Sequence, residues 1–204
     1  KVNLENNTVD LLFDINEGKI TKINRIIIND NNSFLDKDIR DIITSKTKSL
    51  TNIFANNNFK PLIVERDKFL ILDFYKNNGY LDVEIDTKVE YLKNNKVNIY
   101  FKIKEGKIYQ LSSIEINDKK NLLNKNILDL IQFKKDNFIL TQNYFSPENT
   151  KQFREDLSDI IIQNGIEYFE IITSDKVEDT NIKIIFDIEK ILPKYSNQIN
   201  IVGN

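Results

Sequence analysis

The chain has 204 residues, a net charge of −2 and a pI of about 5.4, with 40% apolar and 29% charged residues. That is a globular balance with room for one large domain or two small ones, and it lacks the basic footprint of a nucleic-acid binder. With no His and no Cys, the chain has no thiol nucleophile, no imidazole base and none of the common zinc ligands, so no catalytic, cofactor or metal residue is assigned.

In chain order, the first feature is a sequence that recurs. Leu4–Asp30 aligns without a gap to Leu92–Asp118, and 14 of the 27 positions are identical. Self-similarity of this kind sets the domain count. Each copy opens on an Asn-Asn pair, Asn6-Asn7 or Asn94-Asn95, which tolerates positive φ and predicts a hairpin turn. A strand with period-two alternation follows, Val9, Leu11, Phe13 and Ile15 in the first copy and Val97, Ile99, Phe101 and Ile103 in the second. Glu-Gly-Lys at 17–19 and 105–107 breaks it. A further strand runs through Lys19–Ile28 or Lys107–Ile116 to an Asn-Asp pair.

The segments between copies read as helices. Leu35–Ile43 is short. The seventeen-residue Thr44–Lys60 reads as a connection holding Leu50, Ile53, Phe54 and Phe59. Pro61–Asn78 places Val64, Ile71, Phe74 and Tyr75 at helical spacing, and Gly79 ends it. Phe69 and Leu72 fall off that stripe and read as exposed. In the second repeat, Lys125–Ile131 is a short helix, and Phe138, Ile139, Leu140, Tyr144 and Phe145 occupy the connection after it. Ser146-Pro147-Glu148 has the order of an N-cap, a first-turn proline and an early acid. Phe153, Leu157, Ile160 and Ile161 form one stripe, and Gly165 ends the helix. A strand follows each glycine, Leu81–Tyr91 and Glu167–Val177.

The expected fold class is α+β, as two tandem units, each β-α-α-β-β. A short turn pairs the second and third strands antiparallel, and the third pairs with the first in parallel. The three-stranded mixed sheet then has the order first-third-second. Two helices cover one face, the other is wet, and the second strand is a free edge. The expected units are 18–105 and 106–189. Residues 1–17 then read as the closing hairpin of a preceding unit, and 190–204 as the start of a following one, with Glu189-Lys190-Ile191 standing for Glu-Gly-Lys.

This pattern resembles the POTRA domain, the polypeptide-transport-associated module, over the whole chain. The residues that carry the resemblance are "FKIKEGKIYQLSSIEI", Asn78-Gly79-Tyr80 and "INIVGN" at the C-terminus. "FYKNNGYLDVEI" and "YSNQINIVGN" are similar to the periplasmic arm of an outer-membrane β-barrel assembly factor of the Omp85 superfamily. By order the two units resemble the third and fourth of its five domains. Asp30-Asn31 and Asp118-Lys119 depart from the family's Gly-Asn, and Gly165-Ile166 from its Gly-Tyr.

The resemblance implies a non-enzymatic periplasmic scaffold within an outer-membrane protein. Its partners would be unfolded outer-membrane protein chains, accessory outer-membrane lipoproteins and the parent chain's membrane β-barrel, with no nucleic acid, metal or cofactor. The alternatives are the arm of a secretion or import pore, or a cell-envelope docking module. Strand addition would use the edge Leu81, Asp82, Val83, Glu84, Ile85, Asp86, Thr87, Lys88 and Val89. A second edge is Tyr168, Phe169, Glu170, Ile171, Ile172 and Thr173. Glu17, Gly18, Glu105 and Gly106 are the junctions, where glycine supplies a strained backbone.

Overall fold

The computed structural model describes residues 19–48 and 56–192, together with the backbone of Val2–Asn3 (β1) and Val9–Asp10 (β2), which pair antiparallel. Glu17, Gly18, Leu50, Ile53, Phe54 and residues 193–204 lie outside the described residues.

Unit one comprises β3 (Lys22–Asn29), α1 (Asp36–Ile42), α2 (Pro61–Asn77), β4 (Glu84–Leu92) and β5 (Lys96–Lys104). Unit two comprises β6 (Gln110–Asn117), α3 (Lys125–Thr141), α4 (Pro147–Gln163), β7 (Phe169–Glu178) and β8 (Asn181–Lys190). The sheets have the orders β3-β5-β4 and β6-β8-β7, with the outer pairs parallel on one side and antiparallel on the other. The two tandem β-α-α-β-β units anticipated from the alternation are therefore present.

The central strand of each sheet carries the inward row. Val97, Ile99, Phe101 and Ile103 are fully covered, as are Ile182, Ile184, Phe186 and Ile188. Val64, Ile71 and Tyr75 from α2, and Phe153, Leu157 and Ile161 from α4, close these cores. Between Ile23 and Arg25, and again between Leu111 and Ser113, the ladder slips by one residue. This bulge turns both Ile23 and Ile26 inward, which strict alternation would not allow. Asn94 and Asn95 both have positive φ (61° and 51°), the mirror-image hairpin turn their residue type favours, and Asp30 also sits at positive φ (64°).

Four expectations are corrected. The third helix runs to Thr141, ten residues past Ile131. Asn124 caps it by accepting from the Ile127 amide, no glycine or proline interrupts it, and Phe138, Ile139 and Leu140 are helical. Leu72 packs against the first core, while Phe69 is 61% exposed. Leu81, Asp82 and Val83 precede the edge strand, which begins at Glu84. Finally, Ile28 pairs with Phe101 and Ile116 with Phe186. Glu105-Gly106-Lys107 therefore corresponds by ladder register to Lys190-Ile191-Leu192, one residue beyond the expected match.

Candidate interaction surfaces

Within the sheets of the described residues, β4 pairs only with β5, and β7 only with β8. Each edge strand thus presents alternate backbone N–H and C=O groups to its surroundings, the requirement for pairing with another extended chain. The opposite edge of the first sheet is covered. The Ile23 amide donates to Asn57 O (2.7 Å), Asn57 Nδ2 to Ile23 O (3.1 Å), and Arg40 Nη2 to Ile26 O (2.7 Å).

The two bare edges differ. On β4 the helix-facing positions are filled: Ile85 is buried, and Val89 packs on the core. Tyr91 lies edge-on to Phe59 with ring centroids 6.1 Å apart. Thr87 points the same way, and its Oγ1 is covered without a hydrogen-bond partner. The wet face carries Glu84, Asp86, Lys88 and Glu90, charges that oppose uncontrolled pairing. Glu90 accepts from Tyr100 (2.7 Å) and Asn98 (3.0 Å), and these bonds hold its carboxyl below the usual range. On β7 only Phe169 and Ile171 pack against the core. From Ile172 to Glu178 every residue is exposed. Tyr168 precedes the strand, and its carbonyl accepts from the Ile191 amide (3.2 Å).

Leu81 and Asp82 belong to a different surface, the clasp between the units. Leu81 packs against the second core. Asp82 accepts from Tyr109 Oη (2.8 Å), which pushes the Tyr109 phenol above its ordinary value. The C-terminus of α2 closes with the Gly79 amide on Lys76 O and the Tyr80 amide on Tyr75 O, with Gly79 at φ +90°. Gly79 O then accepts from the Tyr109 amide (2.8 Å), and Tyr109 O from the Phe145 amide (2.9 Å). Asn78 Oδ1 accepts from Tyr144 Oη (2.9 Å). Asn77 Oδ1 accepts from Ser146 Oγ (3.2 Å) and from the Glu148 amide (2.9 Å). A side chain of unit one thus satisfies a first-turn amide of α4, beside the helix's own cap Ser146.

Glu105 and Gly106 sit at this junction with separate roles. Gly106 has φ +78°, and a Cβ there would fall 2.9 Å from that of Asp82. Glu105 reaches back into unit one. Its carboxylate accepts from the Ser33 amide (2.8 Å), Ser33 Oγ (2.8 Å) and Tyr75 Oη (3.1 Å). Burial, and then Glu105, push the Tyr75 phenol well above its ordinary value. The hydrogen-bonding role of Glu105 has no signature in residue spacing, because its partners are 30 and 72 positions away.

Among the described residues no group of carboxylates could hold a metal ion, and no helix is long and apolar enough to cross a membrane. The described residues thus form two small α+β units clasped end to end, each with a bare sheet edge.

Residues 21–106 match the POTRA family, described as surface antigen variable number repeat. The outer membrane protein assembly factor BamA of Nitratidesulfovibrio vulgaris is 26% identical over 202 residues, 95% of this chain and 25% of its own. BamA of Buchnera aphidicola is 30% identical over 141 residues, 68% of this chain and 23% of its own. The crystal structure of Haemophilus influenzae BamA POTRA3-5 superposes with a TM-score of 0.57 at 19% identity, covering 84% of this chain and 66% of that one. The chain thus spans at most about a quarter of the length of these curated relatives. It is a BamA-like tandem of POTRA units.

Proposed function

We propose that this chain acts as a periplasmic scaffold in outer-membrane protein assembly. It takes up unfolded barrel strands by strand addition at β7 and β4, docks accessory lipoproteins, and works beside a membrane β-barrel of its parent protein. The observation that supports this reading best is that each sheet ends on a strand with one neighbour only. Backbone hydrogen bonding there is indifferent to sequence, as a scaffold for many clients requires. Release demands weak binding, about micromolar to millimolar. The clasp fits the same role, because it fixes the direction in which the two edges are presented. In this reading the units are 18–105 and 106–189, meeting at Glu105-Gly106. No step of bond making or breaking is assigned to any residue.

The test is a titration of the isotope-labelled chain, followed by NMR, with a peptide copied from the last strand of an outer-membrane barrel. Fast-exchange shifts concentrated in Phe169–Glu178 or Glu84–Leu92 are expected. Shifts confined to the exposed helix positions Phe69 or Phe133 would transfer binding to a helix face and end the strand-addition reading.

A further inference from the structure

The two edges are not equivalent, and one difference lies in a pocket beside β7. A cavity of about 270 Å3 opens between the first turns of α4 and the middle of β7, lined by Phe145, Pro147, Thr150, Lys151, Arg154 and Thr173. Matching the two helices from their first-turn prolines pairs Pro61 with Pro147, Glu65 with Lys151 and Lys68 with Arg154. Matching the ladders pairs Thr87 with Thr173 and Tyr91 with Val177. In unit one the Tyr91 ring stands edge-on to Phe59, the counterpart of Phe145. In unit two the position of Tyr91 holds the shorter Val177, and Phe145 and Thr173 line the cavity. The helix flank has changed as well. Unit one offers one acid and one base there, and unit two offers two cations.

Resting on the strand-addition reading, we infer that the α4–β7 pocket recognises an acidic side chain, glutamate or aspartate, on a guest strand paired to β7. An added strand lies about 4.8 Å outside β7, and alternate guest side chains point to the helix face. One of them therefore stands beside Thr173, over the Phe145–Pro147–Thr150 floor and facing Lys151 and Arg154. Its methylenes meet an apolar floor and its carboxylate meets two ammonium or guanidinium groups. Among the described residues Arg154 has no acidic partner, and Lys151 has only Glu148 at a loose 3.9 Å. Asp175, the next helix-facing residue of β7, forms no ion pair with either cation. It disfavours a second acid one step along the guest, so the preference is for a single acid at one register. Charge-assisted hydrogen bonds from a fork such as Arg154 give direction as well as attraction.

The experiment uses the labelled chain and three short capped peptides of alternating threonine and valine, with glutamate, glutamine or lysine at the central position. Capping removes the terminal carboxylate as a competing anion. The glutamate peptide is expected to shift β7 amides and the Arg154 side chain, and to bind about fivefold more tightly than the glutamine peptide, as for a partly exposed charged pair. The lysine peptide binds more weakly still. Replacing both cations, Lys151→Gln with Arg154→Gln, leaves β7 binding in place and abolishes the difference between glutamate and glutamine. Equal affinities for all three peptides, with β7 shifts present, would overturn the acidic preference while leaving strand addition intact. An absence of shifts at either edge with all three peptides would remove both.

Discussion

Gly79 and Gly165 form a matched pair that tests the clasp. Both end a helix at positive φ, +90° and +85°. A Cβ at Gly165 meets nothing within 4 Å, whereas one at Gly79 falls 3.0 Å from Tyr144 Cβ, 3.1 Å from Ile108 Cγ1 and 3.1 Å from Tyr109 O. Gly165→Ala therefore carries only the left-handed backbone strain, about 1 kcal/mol. Gly79→Ala carries the same strain and must also push apart a backbone oxygen and two side chains of the next unit. Overpacking of this kind costs about 1–3 kcal/mol more, so the total is about 2–4 kcal/mol. It also disturbs the 2.8 Å bond from the Tyr109 amide to Gly79 O. Urea unfolding followed by far-ultraviolet circular dichroism gives the stabilities, and amide shifts at Tyr109, Tyr144 and Phe145 report the interface. Equal destabilisation by the two substitutions, with those three amides unmoved in Gly79→Ala, would refute the close approach.

Four further outcomes follow from the same contacts. Glu105→Ala strips three hydrogen bonds from Ser33 and Tyr75 and should cost about 2–3 kcal/mol in chemical denaturation. Removing the buried carboxylate that accepts from the Thr44 and Ser45 amides at 2.6 and 2.9 Å, by Asp67→Ala, should cost a similar amount, about 2–3 kcal/mol by the same assay. Thr87→Val replaces a covered, unpartnered hydroxyl by a methyl of the same shape and should raise stability by about 1 kcal/mol. The bond from Lys134 holds the Asp156 carboxyl below its ordinary value. A depressed folded pKa adds stability above the unfolded value of about 3.9, and that stability is lost as pH falls through the lower folded value. Lys134→Gln should therefore flatten the acid limb of a stability–pH profile, and an unchanged limb would contradict the pairing.

Much of the fold was legible because its elements carry their own punctuation. The Asn94-Asn95 turn, the Ser146-Pro147 start and the glycine stops at 79 and 165 are local signals, and the inward rows of the central strands are strictly periodic. What escaped depends on distance in sequence. Leu81 alternates in step with the edge strand, yet it is taken up by the neighbouring unit's core. Asp67 falls on the buried stripe of α2 and looks out of place until the Thr44 and Ser45 amides arrive from 23 and 22 residues away. The extra residue in β3 and β6 shifts the alternation, a change that no single strand announces. The full length of the third helix is not legible in the sequence, because its last turns carry adjacent apolar residues, Phe138, Ile139 and Leu140, instead of a spaced stripe. The edges could be anticipated from topology. The pocket beside β7 could not, since it arises from comparing Val177 with Tyr91 across two ladders.

The most direct measurement compares one client strand peptide with a copy whose alternate backbone amides are N-methylated on the pairing edge. Both carry the same side chains, but the copy cannot complete a ladder. If this chain works by strand addition, the parent peptide shifts the amides of β7 or β4 and the methylated copy leaves them unmoved at the same concentration. Equal binding of the two would show that side chains alone hold the guest, and would contradict the central claim.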